Sequence, residues 1–277
     1  MKHKTLILLI IISIAIIFSV FLFFYQKENT DNKTELNGLI FNTGKSDAVL
    51  ITYKDYTIII DTSYDENSDE ILGYLNKNNI KTIDYMILTH LDKDHIGGAD
   101  KIINSINVKN VYKPDYESES DEYKELKEVC GKNNISIISL KEDKNINLDE
   151  LKINISVPEN DSYEDENDYS LITSVELAGN KMLFMGDACK IRCSEYAENI
   201  NEKYVFIKLP HHGDYNKYIE TIISKAGIKY SAVTIANEDD METKLVNCLE
   251  KYSVRNYCNC NGNIFFNIKS GKFTIYQ

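Results

Sequence analysis

Four potential metal ligands fall within six residues, where Asp84-Tyr85-Met86-Ile87-Leu88 runs into Thr89-His90-Leu91-Asp92-Lys93-Asp94-His95-Ile96-Gly97-Gly98. No other stretch narrows the fold so far. A strand points successive side chains to opposite faces, but a loop leaving its end does not, so ligands this close can converge there. Imidazole together with carboxylate suits zinc, manganese or iron. The Gly97-Gly98 pair predicts a tight backbone turn into the next helix. Three more apolar runs end on an acid or histidine: Ile58-Ile59-Ile60 on Asp61, Met185-Gly186 on Asp187, and the run to Leu209 on Pro210-His211-His212-Gly213. Taken singly, Asp61 is an ordinary turn acid, Gly-Asp-Ala is common, and a His pair is a surface accident. Together they take up every histidine except His3, since the chain has only five. That economy points to a metal centre.

The remaining pattern is mixed α/β. Strands are expected at 39–41, 48–53, 56–60, 85–89, 135–140, 153–157, 171–177, 181–185, 204–209 and 230–235. Helices are expected at 68–76, 98–106, 118–131, 188–199, 217–226 and 241–252. A closing hairpin is expected to turn at Ser270-Gly271. Antiparallel-looking strands come first, with helices inserted, and the order is not a plain βαβ alternation. A doubly wound sheet therefore fits poorly.

Residues 5–25 carry no charge, and 21 residues at about 1.5 Å each span roughly 30 Å, the thickness of a bilayer core. The run is longer than a signal-peptide core and ends in Phe-Leu-Phe-Phe-Tyr-Gln-Lys without a small-residue cleavage site. The expectation is an uncleaved membrane anchor over 1–26, a polar linker over 27–37 and, over 38–277, a length that suits one α/β domain or two similar halves. The nearly balanced flanking lysines and the free amino terminus place the domain outside a single-pass cell membrane. A net charge of -12 argues against a large nucleic-acid footprint. The acidic stretches 115–126 and 159–168 lack the order of a calcium loop and read as solvated. The six cysteines show no C-x-x-C and are expected as buried free thiols.

The order Asp61, His90-x-Asp92-x-Asp94-His95, Asp187, His211-His212-Gly213 resembles the metallo-β-lactamase-fold hydrolases. Within them it is most similar to the hydrolase domain of ComEC/Rec2-type competence proteins, which carry H-x-D-x-D-H where most relatives have H-x-H-x-D-H. Phe41–Ile51 resembles that group's V-G-Q-G-D-A opening, Asn167–Ile172 its N-x-x-S-L-V strand entry, and 261–272 its closing hairpin. The resemblance implies a four-layer αββα sandwich, α/β (α+β), with one or two divalent ions, zinc or manganese, at one edge. His90 and Asp92 would hold the first ion. Asp94 and His95 would hold the second with His211 or His212, His211 being favoured as the residue at the strand end. Asp187 would bridge, Asp61 would support the ligands from behind, and Asp94 would help orient the attacking water.

Departures from the pattern bear on substrate. No histidine lies between His95 and His211, which leaves the first ion poor in nitrogen. Asp214 stands where the group has Ser, at the substrate rim, and Asn237–Glu242 replaces a motif ending in a late His. The function implied is a membrane-anchored metallo-hydrolase of phosphodiesters, nucleic acid among them. The alternatives are a hydrolase of other esters, lactones or amides, or a non-catalytic metal-binding surface module. Metal ions and the membrane, through residues 5–25, are the partners the sequence implies; nothing in it points to a protein partner.

Overall fold

Ile58 and Ile60 face one side of their strand and Ile59 the other, yet all three are buried. A strand buried on both faces needs a layer on each side, and the fold supplies them. The structure, a computed structural model, describes residues 14, 16–21 and 35–277. In chain order the strands are β1 Leu36–Ile40, β2 Val49–Tyr53, β3 Tyr56–Ile60, β4 Thr82–Ile83, β5 Tyr85–Ile87, β6 Asn107–Val108, β7 Val111–Pro114, β8 Ile137–Leu140 and β9 Lys144–Leu148. They continue as β10 Leu151–Ser156, β11 Ile172–Leu177, β12 Asn180–Phe184, β13 Phe206–Lys208, β14 Tyr230–Val233, β15 Arg255–Cys258, β16 Ile264–Lys269 and β17 Lys272–Tyr276.

One sheet runs β17-β16-β1-β2-β3-β5-β7-β8 and the other β15-β14-β13-β12-β11-β10-β9, with β4-β6 as a small pair. Ile58, Ile60, Ile153, Ile155, Phe184 and Phe206 fill the space between the two sheets. The opposite face of the first sheet, Leu50, Ile59 and Met86, packs on helices through Ile71, Leu75, Ile102 and Leu126. The opposite face of the second, Leu183, Ile207 and Val233, packs on Cys193, Ile219, Ile223 and Leu245. Three apolar layers between four structural layers make the αββα sandwich.

Both sheets are mixed. β3, β5, β7 and β8 run parallel, as do β12, β13, β14 and β15. The carboxyl ends of β3, β5, β12 and β13 lead directly to Asp61, the 89–95 loop, Asp187 and the His pair, so parallel pairing gathers the four motifs at one edge.

Three differences from the sequence reading stand out, and a fourth expectation falls mostly outside the described residues. Strand β9 was not expected, because Lys144, Asn145 and Asn147 are exposed and only Ile146 and Leu148 are buried. β1 begins at Leu36, fully buried and paired with Ile268 and Tyr53, so the domain takes in the last two residues assigned to the linker. Cys258 and Cys260 are joined as a disulfide across the turn that follows β15, while Cys130, Cys189, Cys193 and Cys248 are free thiols, Cys189 only half-buried. The expected anchor at 5–25 lies mostly outside the described residues. Among the described residues, no helix is long and apolar enough to cross a membrane.

Candidate metal centre

Asp61 leaves β3 in a left-handed conformation, φ 58°, which a non-glycine residue adopts at a cost of about 1–3 kcal/mol. The turn aims its carboxylate under the 89–95 loop. Oδ1 accepts from the Thr89 backbone N–H at 2.7 Å, and Oδ2 accepts from Thr89 Oγ1 at 2.7 Å. Oδ2 also meets His95 Nδ1 at 2.8 Å. The carboxylate therefore holds the proton of His95 on Nδ1 and turns Nε2 the other way.

His95 Nε2 faces Asp187 Oδ1 at 3.3 Å and Asp94 Oδ2 at 3.8 Å. From the other half of the molecule, His212 Nε2 comes within 3.1 Å of both Asp94 Oδ2 and Asp187 Oδ2. Asp94, His95, Asp187 and His212 thus offer four ligand atoms within 4.8 Å of one another. His90 Nε2 stands beside them, 3.6 Å from Asp92 Oδ2, and the His90 and His95 rings are 4.1 Å apart. Asp92 is 41 % exposed, so this second set of donors is thinner and open to solvent.

The glycines near the site act by permitting contact. Gly97 and Gly98 have ordinary helical angles, so the expected tight turn is not their reason. A Cβ on Gly98 would lie 2.5 Å from the Thr62 carbonyl oxygen, and one on Gly97 would lie 2.7 Å from the Asp65 nitrogen. Their missing side chains let the Asp61 loop press against the His95 helix. Gly186, at φ 53°, leaves no room for a Cβ either, since Thr89 Cβ would be 2.6 Å away. That contact draws the Asp187 turn onto the His90 loop.

The electrostatics agree with a cation site. Burial opposes a charge on His95, but Asp187 and Asp61 outweigh it and hold the imidazolium well above its usual range. Burial likewise opposes His212, yet Asp187, Asp94 and Asp47 lift it to about 9. Burial pushes Asp94 and Asp187 up, but the neighbouring histidines prevail, taking Asp94 to about 2 and Asp187 well below the carboxylate range. Protons on two imidazoles occupy the place that one cation would take. His90 Nε2, His95 Nε2 and Asp187 Oδ1 are buried and have no hydrogen-bond partner. Buried polar atoms left so are rare and costly, and three pointing into one cluster fit a divalent ion with nitrogen and oxygen ligands.

The His pair reverses the sequence preference. His212, 2 % exposed, enters the cluster. His211 turns outward, with Nδ1 3.2 Å from Cys189 Sγ and 3.4 Å from Asp214 Oδ2. Both have positive φ, 46° and 51°, so the chain folds back on itself after Pro210. The residue at the strand end faces the rim, and the next one reaches the centre. Asp214 and His211 line a cavity of about 540 Å³ with Glu164, Asp165, Asp168 and Cys189.

Sequence reasoning assigned no role to Asp47, Thr89, Ser170, Lys208 or Thr234. Ser170 Oγ accepts from the Asp187 N–H at 3.2 Å, and Thr234 takes the far side of His212. Asp47 and Ser170 lie in the opening and strand-entry stretches already singled out. Lys208 and Thr234 are single polar residues at strand ends and carry no local signal.

The sequence profile of the Metallo-beta-lactamase superfamily matches residues 42–235. The chain belongs to this superfamily. It is 26% identical over 214 residues to ComE operon protein 3 of Bacillus subtilis (strain 168), covering 74% of this chain and 27% of that protein. The chain therefore corresponds to about a quarter of that relative's length. Among solved structures it is similar to the metallo-beta-lactamase fold protein YhfI from Bacillus subtilis, with a TM-score of 0.55 and 12% identity over 87% of this chain and all of that one. It is also similar to CmlA, a diiron beta-hydroxylase from Streptomyces venezuelae, with a TM-score of 0.51 and 9% identity over 79% of this chain and 52% of that one. At these identities the likeness is one of fold, and the fold carries more than one chemistry.

Proposed function

We propose that this superfamily member is a membrane-anchored, metal-dependent hydrolase of phosphodiesters, with nucleic acid among its substrates. The observation that carries the reading is the convergence of three partnerless buried atoms, on His90, His95 and Asp187, with Asp94 and His212. In this reading Asp94, His95, Asp187 and His212 would hold one ion. His90 and Asp92 would contribute to a second. Zinc and manganese both suit these donors. Lewis acidity is the chemistry an ion brings there, acidifying water near neutral pH and stabilising charge on the leaving group. The chain's own residues do the rest. Asp61 and Thr89 orient His95, Ser170 fixes the Asp187 turn, and Asp94 would orient the attacking water.

The resemblance of the His90-x-Asp92-x-Asp94-His95 set to ComEC/Rec2-type proteins supports the phosphodiester class, and the uncharged run over 5–25 supports a single-pass location with the 38–277 domain outside the cell. Protease accessibility on intact cells tests that location, which fails if the domain is protected. Elemental analysis of residues 30–277, followed by single-stranded DNA and chromogenic phosphodiesters with Mn²⁺ or Zn²⁺, tests the activity. No cleavage by folded, metal-loaded protein sinks it.

One observation favours a second reading. The cavity beside the centre carries Glu164, Asp165, Asp168 and Asp214 against Lys190 and His211, a rim that repels polyanions and admits neutral or cationic esters and amides. Ester chromogens run in the same panel separate the two.

A further inference from the structure

Lys208 is 1 % exposed, lying between the sheets on the same face of β13 as the core residue Phe206. A buried ammonium costs stability unless it is paired and hydrogen-bonded. Its partner is Asp47, 161 residues earlier in the chain. It also lies 3.4 Å from the Gly186 carbonyl and 3.9 Å from Asp187 Oδ1, the cluster oxygen that has no hydrogen-bond partner. Asp47, 3 % exposed, does more than neutralise the lysine. Its backbone N–H donates to the Asp94 carbonyl at 3.1 Å, and its own carbonyl accepts from the Ser63 N–H at 2.8 Å. Its Oδ1 accepts from Thr234 Oγ1 at 2.6 Å.

That last bond settles a tautomer. His212 Nδ1 lies 3.0 Å from the Thr234 carbonyl and 3.1 Å from Thr234 Oγ1. The carbonyl can only accept. The hydroxyl spends its single proton on Asp47, so it too can only accept from His212. Nδ1 must therefore carry the hydrogen, and the Nε2 lone pair of the neutral ring is left for the cluster.

We propose that Asp47 and Lys208 are a positioning pair, which fixes His212 in its Nδ1–H form through Thr234 and places a cation behind the bridging Asp187. The proposal rests on the metal-hydrolase reading of the same site. Without the pair the Thr234 hydroxyl is free to donate to Nδ1, and His212 can present the wrong nitrogen.

Removing one partner leaves the other buried and unpaired, so the decisive variant is Asp47→Leu/Lys208→Met, which removes both charges and keeps apolar volume. Replacing a buried ion pair this way is often neutral for folding. Two measurements follow. Nitrogen-15 NMR of the zinc-loaded protein should show His212 as a single Nδ1–H form in wild type and a mixture in the variant. Zinc affinity by chelator competition should fall about 10- to 100-fold, as for other supports behind metal ligands, with the melting temperature of the metal-free protein kept. Lys208→Arg should restore both readouts. If the double variant does not fold, Asp47→Ala, which also removes the acceptor of the Thr234 hydroxyl, carries the same two measurements. A wild-type tautomer and wild-type zinc affinity in the folded variant would overturn the proposal and leave the pair as a structural staple. If wild type itself binds no zinc, the metal reading fails and takes the proposal with it, whereas zinc bound with an unaltered tautomer and affinity in the variant fails the proposal alone.

Discussion

His95 and His212 approach the same two carboxylates, Asp94 and Asp187, from opposite halves of the sandwich, and they are held in different ways. Behind His95 stands a bare carboxylate, Asp61, directly on Nδ1 at 2.8 Å. Behind His212 stand the neutral oxygens of Thr234, with Asp47 Oδ1 farther off at 3.7 Å from Nδ1 and Lys208 beyond it. A carboxylate on the ring makes the opposite nitrogen a stronger donor, whereas a neutral acceptor fixes direction with little gain in basicity. To an ion, the first half would therefore offer the stronger ligand and the second one aimed mainly by neutral acceptors.

Substitution behind each ring should expose this difference. Asp61→Ala is expected to lower zinc affinity about 10- to 100-fold. It also strands the Thr89 N–H and His95 Nδ1, at a cost of about 1–3 kcal/mol for each buried unpaired group, read by denaturant unfolding of metal-free protein. Thr234→Val leaves the carbonyl at 3.0 Å from His212, which still accepts from Nδ1 with no hydroxyl left to donate to it, and should cost only a few-fold in affinity. Equal losses in the two variants would break the comparison.

Protonation gives a middle-sized effect. In the metal-free protein His95 is held charged well above the usual range and His212 up to about 9. Metal uptake at neutral pH must displace both protons, so affinity rises with pH and calorimetry in buffers of different ionisation heat should report about two protons released. Stability of the metal-free form runs the other way. His212 is raised from 6.5 to about 9, so its contribution is fully present below pH 6.5 and lost as pH rises through about 9. Asp94 is lowered from 3.8 to about 2, so its contribution is present above pH 3.8 and lost as pH falls through about 2. Metal uptake without proton release would show that the imidazolium–carboxylate cluster is not the binding site.

The smallest effect belongs to the rim, where His211 went instead of to the centre. Asp214 is 56 % exposed, and a solvent-screened charge is worth about 0.2–1 kcal/mol. Asp214→Ser should therefore lower KM for a phosphodiester by less than about fivefold, with metal content unchanged. An altered metal content would place Asp214 in the centre rather than at its edge.

The four strand-end motifs were legible because each is short and local: an apolar run, then a ligand, with Asp61, His90, Asp94, His95 and Asp187 all named from their neighbours. The four-layer architecture came from the family resemblance, and strands such as Ile58-Ile59-Ile60, buried on both faces, agree with it. β9 escaped because an edge strand facing solvent reads as polar chain. Which histidine of the pair entered the centre was also hidden. Both sit in one turn, and the backbone conformation at φ 46° and 51°, not residue type, sends His211 to the rim and His212 inward.

The sequence by itself determined the superfamily, the edge at which ligands gather and most of the residues there, because those depend on local order along the chain. Only the tertiary structure decided how the ligands are held. Asp47 meets Lys208 and Thr234 across 161 and 187 residues, and Gly98 matters for the Thr62 carbonyl it admits. Such partners carry no periodicity or spacing to read; they exist because two separately legible sheets close face to face and bury a charge that must then find its counterpart.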